Sequence, residues 1–285
     1  MWRVFVLAKS KRRLVYPVVR EQLDVLVGHL RSCESEAAHR RLCELSCDLF
    51  QLAGEILFDG CQYADAAQCY ALAATAAREA GALDLWACAL IRHAFIALYE
   101  RSFRHALPLL EMAAGLAERG DTRLSTRYWV SVVQAQAFAG LGDLRACDSA
   151  LGVAEEVRAL PGEMHNGGWL RFDGSRLAEE RGACYVELKR PDLAETALMA
   201  ALTGRLSPRR RGVVLTDLAL LGVQRRDASQ VTAHAAAALE VARQTGSGVI
   251  ERKLLGLQDR LGPFLGNSRV RELDEQITAL TRTRS

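Results

Sequence analysis

Five residues near the start of the chain have the spacing of a metal site. His29 and Cys33 stand four apart, and His39, Cys43 and Cys47 follow one another at steps of four. A step of four returns to the same face of a helix, and Ser32 to Glu36 reads as a short turn between two helices. The imidazoles of His29 and His39 and the thiolates of Cys33 and Cys43 would then form the tetrahedral donor set of a zinc or redox switch. The competing reading is packing: the chain has no paired Cys-x-x-Cys knuckle here, and a cysteine in a helix interface behaves as a small hydrophobe. On that reading these residues bind no metal and the chain carries no cofactor.

Other chemistry is sparse. There is no Gly-rich phosphate loop, nucleophile elbow or His-Glu-x-x-His helix, the spacings that phosphate, acyl-transfer and zinc-hydrolase chemistry need. Glu155-Glu156 and Glu179-Glu180 are adjacent pairs, the pattern of a solvated helix face. His93 and His105 lack an evident carboxylate or thiol partner. The basic clusters Lys9 to Arg13 and Arg209 to Arg211 carry no interleaved aromatics and read as solvated loop charge. The expectation is a protein that is not an enzyme.

The elements that must position these residues are helices. Half of the 285 residues are hydrophobic but only 6% are aromatic, and six prolines leave room for long uninterrupted helices. A net charge of +3 does not by itself call for nucleic acid or a membrane surface. No apolar run approaches the roughly 18–20 residues that cross a bilayer. Cys47, Cys69, Cys88, Cys147 and Cys184 fall where alanine would also serve. The basic residues follow the short apolar start instead of leading it, so a signal peptide is not indicated. A reduced cytoplasmic protein without membrane contact is expected.

The helices repeat. A small residue, a second residue three on, a third twelve after the first, a bulky one four later and a fifth three beyond recur five times. The copies are Gly54-Leu57-Ala66-Tyr70-Ala73, Ala94-Ala97-Ala106-Leu110-Ala113, Ala135-Phe138-Cys147-Leu151-Ala154, Gly182-Tyr185-Ala194-Leu198-Ala201 and the weaker Ala219-Gly222-Val231-Ala235-Ala238. Successive twelfth positions, 66, 106, 147, 194 and 231, are 40, 41, 47 and 37 residues apart. Small residues at fixed places let antiparallel helices approach closely, the tetratricopeptide pattern. The reading is all-α: a right-handed superhelix of stacked antiparallel helix pairs, about 12–13 helices in all. A basic lead-in of residues 1–13 precedes a single repeat domain over 14–281, with repeats at about 47–80, 87–119, 128–160, 175–206 and 212–245. A helix from Pro17 to Arg31 leads it, and two helices over 249–281 cap it. The widest gap holds Pro161, Gly162, Asn166, Gly167 and Gly168, and Trp169 beside them reads as a plug between repeats or a contact loop.

On these residues the chain resembles the C-terminal tetratricopeptide-like domain of actinobacterial transcriptional regulators that begin with an XRE-type helix-turn-helix. The carriers are Leu52, Gly54, Leu57, Asp59, Tyr63, Ala66, Tyr70, Ala73 and Ala77, then Trp169, Leu170, Phe172, Asp173, Leu177 and Gly182, and finally Val270 to Asp274. The resemblance implies a sensor or adaptor in transcriptional regulation. It differs in the 13 residues that precede the first helix here, so direct DNA binding would require a helix-turn-helix domain beyond this sequence.

In such arrays the first helix of each pair lines a concave groove. The residues placed there are Gln51, Glu55, Arg92, Phe95, Tyr99, Trp129, Gln136, Arg176 and Glu179. Aromatics would supply contact area and charged groups would fix register for a peptide or protein partner. A small metabolite and a homodimer are the other occupants this reading leaves open.

Overall fold

A computed structural model of the chain describes residues 15–159 and 176–282; the Lys9 to Arg13 cluster and the Trp169 segment lie outside them. Of the described residues 84% are helical and none forms a strand. The helices are α1 (Tyr16–Arg31), α2 (Glu36–Asp59), α3 (Tyr63–Glu79), α4 (Leu83–Tyr99), α5 (Phe103–Glu118), α6 (Thr126–Gly140) and α7 (Leu144–Ala159), then α8 (Leu177–Glu187), α9 (Pro191–Thr203), α10 (Pro208–Arg225), α11 (Ala228–Thr245), α12 (Gly248–Gln258) and α13 (Ser268–Arg282). None of them is long and apolar enough to cross a membrane. They fall into two compact units, α1–α7 and α8–α13.

Side-chain caps start several of the helices. Ser35 accepts from the Ala38 amide at α2, Ser207 from Arg210 at α10, and Asp227 from Gln230 at α11. Each satisfies an amide that the first turn leaves without a partner. Pro208 stands at the first position of α10, where its fixed φ suits a helix and its missing N–H costs nothing.

The repeat is most visible in the turns within each pair. Cys61, Arg101, Gly142, Lys189 and Arg226 adopt left-handed backbone, with φ of 60°, 59°, 77°, 55° and 58°. The next amide reaches back to the carbonyl five residues earlier: Gln62 to Leu57, Ser102 to Ala97, Asp143 to Phe138, Arg190 to Tyr185 and Asp227 to Gly222, all within 2.8–3.0 Å. This bond satisfies a carbonyl at the end of the first helix and reverses the chain. These positions are separated by 40, 41, 47 and 37 residues, the same intervals as the small-residue pattern. Four of the five turn residues carry a side chain where glycine would be unstrained. Lys189→Gly is therefore expected to raise the unfolding free energy by about 0.5–1 kcal/mol, and Lys189→Val to lower it. Denaturant titration checks this; equal midpoints for the two variants would contradict it.

The small residues of the pattern are the close-approach points. A β-carbon on Gly54 would collide with the ring of Tyr70, sixteen residues on, and one on Gly182 with the side chain of Leu198, again sixteen on. The equivalent pairs Ala94 with Leu110 and Ala135 with Leu151 are almost fully buried. In the weaker fifth copy the approach shifts to Gly222, which faces the backbone of Val231.

In the first unit α2 packs on α4 and α4 on α6, so the first helices of successive pairs form a layer of their own. Helix α1 closes one side, placing Val15, Val19 and Leu23 against Leu52, Ala53 and Ile56. In the second unit α8 packs on α10 and α10 on α12. There α12, α13 and the segment between them cover the preceding pair with Ile250, Leu254, Leu257, Leu261, Val270, Leu273 and Ile277. Each such side chain contributes about 1.5–3 kcal/mol by leaving water.

Candidate functional site

The layer of first helices in the first unit is built around a buried cation. Arg92 on α4 is 1% exposed and is among the largest fully buried side chains. A guanidinium is stable there only if its charge and donors are matched. Its Nη1 donates to Oε1 of Gln51 on α2 at 3.0 Å, and its Nε lies 3.5 Å from Oε1 of Glu55 on the same helix. On the other side the guanidinium carbon lies 4.8 Å from the ring centroid of Trp129 on α6, within range of a cation–π attraction. One side chain thus ties α2, α4 and α6 together. Gln51 in turn donates from Nε2 to Sγ of Cys47 at 3.2 Å.

The thiols beside this network are inert. Burial pushes the Cys47 thiol up to about 12, and burial raises Cys88 well above its ordinary range. Neither is a thiolate near neutral pH, so neither is a nucleophile.

Above the network lies a partly exposed rim. Glu55 is 17% exposed at its side chain, and Phe95, Tyr99 and Gln136 are half-buried. The spacing explains the alignment. Residues 51, 55 and 58 on α2, 92, 95 and 99 on α4, and 129 and 136 on α6 recur at three, four or seven and so fall on single helix stripes. The aromatics join across helices, Phe58 with Tyr99 edge-to-face at 4.9 Å and Phe95 with Trp129 at 6.3 Å. Gln51, Arg92 and Trp129 form the buried floor, and Glu55, Phe95, Tyr99 and Gln136 the accessible part.

The second unit has its own buried charge cluster in the equivalent layer. Glu179 on α8 is 8% exposed at its side chain and accepts from Arg176 Nε at 2.9 Å and Arg210 Nε at 2.8 Å. Glu180 lies 3.9 Å from Arg176. Asp217 on α10, 4% exposed, is ion-paired with Lys253 on α12. Two sequence readings are corrected here. Arg210 is not solvated loop charge but a partner of Glu179 at the start of α10, and Glu180 is not on a solvated face. Residue pattern alone missed Asp217 and Lys253, because an isolated acid and an isolated base on separate helices carry no spacing signal.

Glu180 gives the cluster a pH dependence. Burial, reinforced by Glu179 and Asp217 and opposed by Arg176 and Lys253, pushes its carboxyl up to about 7. Because the folded value lies above the ordinary one, the folded state holds the proton more tightly than the unfolded state. The stability this provides is full at low pH and is lost as pH rises through about 7. Glu180→Gln is expected to abolish this part of the slope and to raise stability at pH 8 by on the order of 2 kcal/mol. Unfolding free energies at pH 5 and pH 8 test it, and an unchanged slope in the variant would contradict it.

The residues proposed from sequence as metal ligands separate into two groups. His39 and Cys43 come together, with Glu79 on α3 as a third donor. His29 is exposed in the last turn of α1, and the Cys33 thiol donates to the Ser35 carbonyl at 3.4 Å. Neither belongs to a candidate donor group among the described residues.

No protein-family model matches this chain, and no curated protein matches it in sequence. By its fold it is an all-α array of 13 described helices, packed as sequential antiparallel pairs.

Proposed function

We propose that the chain is a non-catalytic, tetratricopeptide-like adaptor that holds a peptide segment of a partner protein along the first helices of its first unit. The observation that carries this reading is the fixed floor around Arg92. It leaves Glu55, Phe95, Tyr99 and Gln136 partly exposed above a floor whose side chains are tied to one another by a hydrogen bond, an ion pair and a ring contact. Ordered aromatic and polar side chains lose little entropy on binding, so a peptide gains contact area and register at low cost. The resemblance of the sequence to the repeat domain of helix-turn-helix regulators supports a role for such binding in transcription control, in which any contact to DNA would be made by a different domain.

Selection of a displayed random-peptide library on the purified chain tests the reading. Enriched peptides are expected to share a spaced motif, and Phe95→Ala and Tyr99→Ala are each expected to weaken them about tenfold at a temperature where circular dichroism shows both variants folded. Selection without a shared motif, or affinities indifferent to both substitutions, would contradict it.

A further inference from the structure

We infer that His39, Cys43 and Glu79 form a three-ligand site for a divalent transition-metal ion of the zinc class. The inference is independent of the peptide-binding reading. Two antiparallel helices build the site by register alone. Cys43 lies 16 residues before the end of α2 at Asp59, and Glu79 lies 16 residues after the start of α3 at Tyr63. The short turn at Gly60 to Gln62 therefore brings the two residues level. His39 stands one helical turn before Cys43 on the same face, so its ring meets both.

The donor atoms converge. His39 Nε2 lies 2.7 Å from Glu79 Oε1 and 3.6 Å from Cys43 Sγ, and all three atoms lie within 4.8 Å of one another. Zinc–nitrogen bonds near 2.05 Å and zinc–sulfur bonds near 2.3 Å at a tetrahedral angle put N and S about 3.6 Å apart, the separation found. The corresponding N···O distance is about 3.3 Å, so the carboxylate must retreat by roughly half an ångström as the ion enters. Glu79 ends α3 and its side chain is 54% exposed, which lets it do so.

The chemistry selects the metal. One imidazole, one thiolate and one carboxylate suit zinc-class ions, whereas calcium and magnesium take oxygen donors. On binding, the Cys43 thiol releases its proton to solvent and the His39 ring coordinates through Nε2 with its proton on Nδ1. Thiolate and carboxylate then balance the dication. Three protein donors leave the fourth position to water or an exogenous ligand. The ion would fasten α2 to α3 at the end of the hairpin opposite its turn.

Cobalt(II) titration of the reduced, tag-free full chain reads the site directly. One equivalent is expected to produce a sulfur-to-cobalt charge-transfer band and tetrahedral visible bands, both bleached by zinc, and added zinc should raise the melting temperature. Cys43→Ser should remove the charge-transfer band. His39→Gln and Glu79→Gln, both at more exposed positions, should each weaken cobalt binding at least about tenfold, while Cys33→Ser should change nothing. Absence of the charge-transfer band at saturation, its persistence in Cys43→Ser, its loss in Cys33→Ser, or unchanged affinity in Glu79→Gln would overturn the assignment. If Cys43→Ser does not fold, as its burial allows, the His39 and Glu79 variants decide.

Discussion

Replacing Arg92 with methionine is expected to destabilise the chain by about 3–5 kcal/mol, the usual cost of breaking a buried charged pair by removing one partner. The loss has three parts. Gln51, 1% exposed, loses the donor to its carbonyl, Glu55 loses the guanidinium 3.5 Å away, and Trp129 loses the guanidinium on its face. Combining Arg92→Met with Gln51→Leu is expected to recover part of the loss, because an apolar pair of similar volume leaves fewer buried polar atoms without partners. Chemical denaturation of the wild type and the single and double variants measures both effects. A loss below about 1 kcal/mol for Arg92→Met would mean that solvent reaches the site and that Arg92 does not hold the three helices. The same result bears on function. A substitution at Arg92 alters the floor itself, so binding experiments belong at Phe95 and Tyr99.

The second large effect lies in the other unit. Lys253→Met strands Asp217, whose carboxylate is 4% exposed and shares its surroundings with Glu179 and Glu187. The expected loss is again about 3–5 kcal/mol at pH 8. It should shrink on acidification. Burial already raises the Asp217 carboxyl while Lys253 lowers it, so removing the lysine raises it further. A carboxyl raised in the folded state favours folding at low pH and opposes it as pH rises through the folded value. Asp217→Leu with Lys253→Met should restore most of the stability at pH 8. Equal losses at pH 5 and pH 8 would refute the account of a stranded carboxylate.

Much of the array was legible because its packing rule is local. Gly54 and Tyr70, or Gly182 and Leu198, must recur at fixed separation if two antiparallel helices are to touch closely, and the order of residues along the chain displays that separation. The left-handed turn residues were less visible. Cys61, Arg101, Lys189 and Arg226 are not glycine, so only their common distance from the small residues betrays them. Burial of charge was hidden for a different reason. Arg92 and Gln51 are 41 residues apart, and Arg210 and Glu179 are 31 apart. Whether such residues face water or one another depends on how successive first helices abut, which periodicity within one helix does not encode. The metal-ligand reading shows the same division. The four-residue step groups His39 with Cys43, but Glu79 follows only from counting across the hairpin turn, and His29 and Cys33 lie outside the group that the structure brings together.

We propose that the first helices of the first unit present a ready-made binding face, and hydrogen–deuterium exchange of the chain with and without a selected peptide reads that face. Exchange is expected to slow in α2, α4 and α6 around Glu55, Tyr99 and Gln136, with α3, α5 and α7 unchanged. Protection concentrated on α3, α5 and α7, or no change in α2, α4 and α6 at saturating peptide, would contradict it.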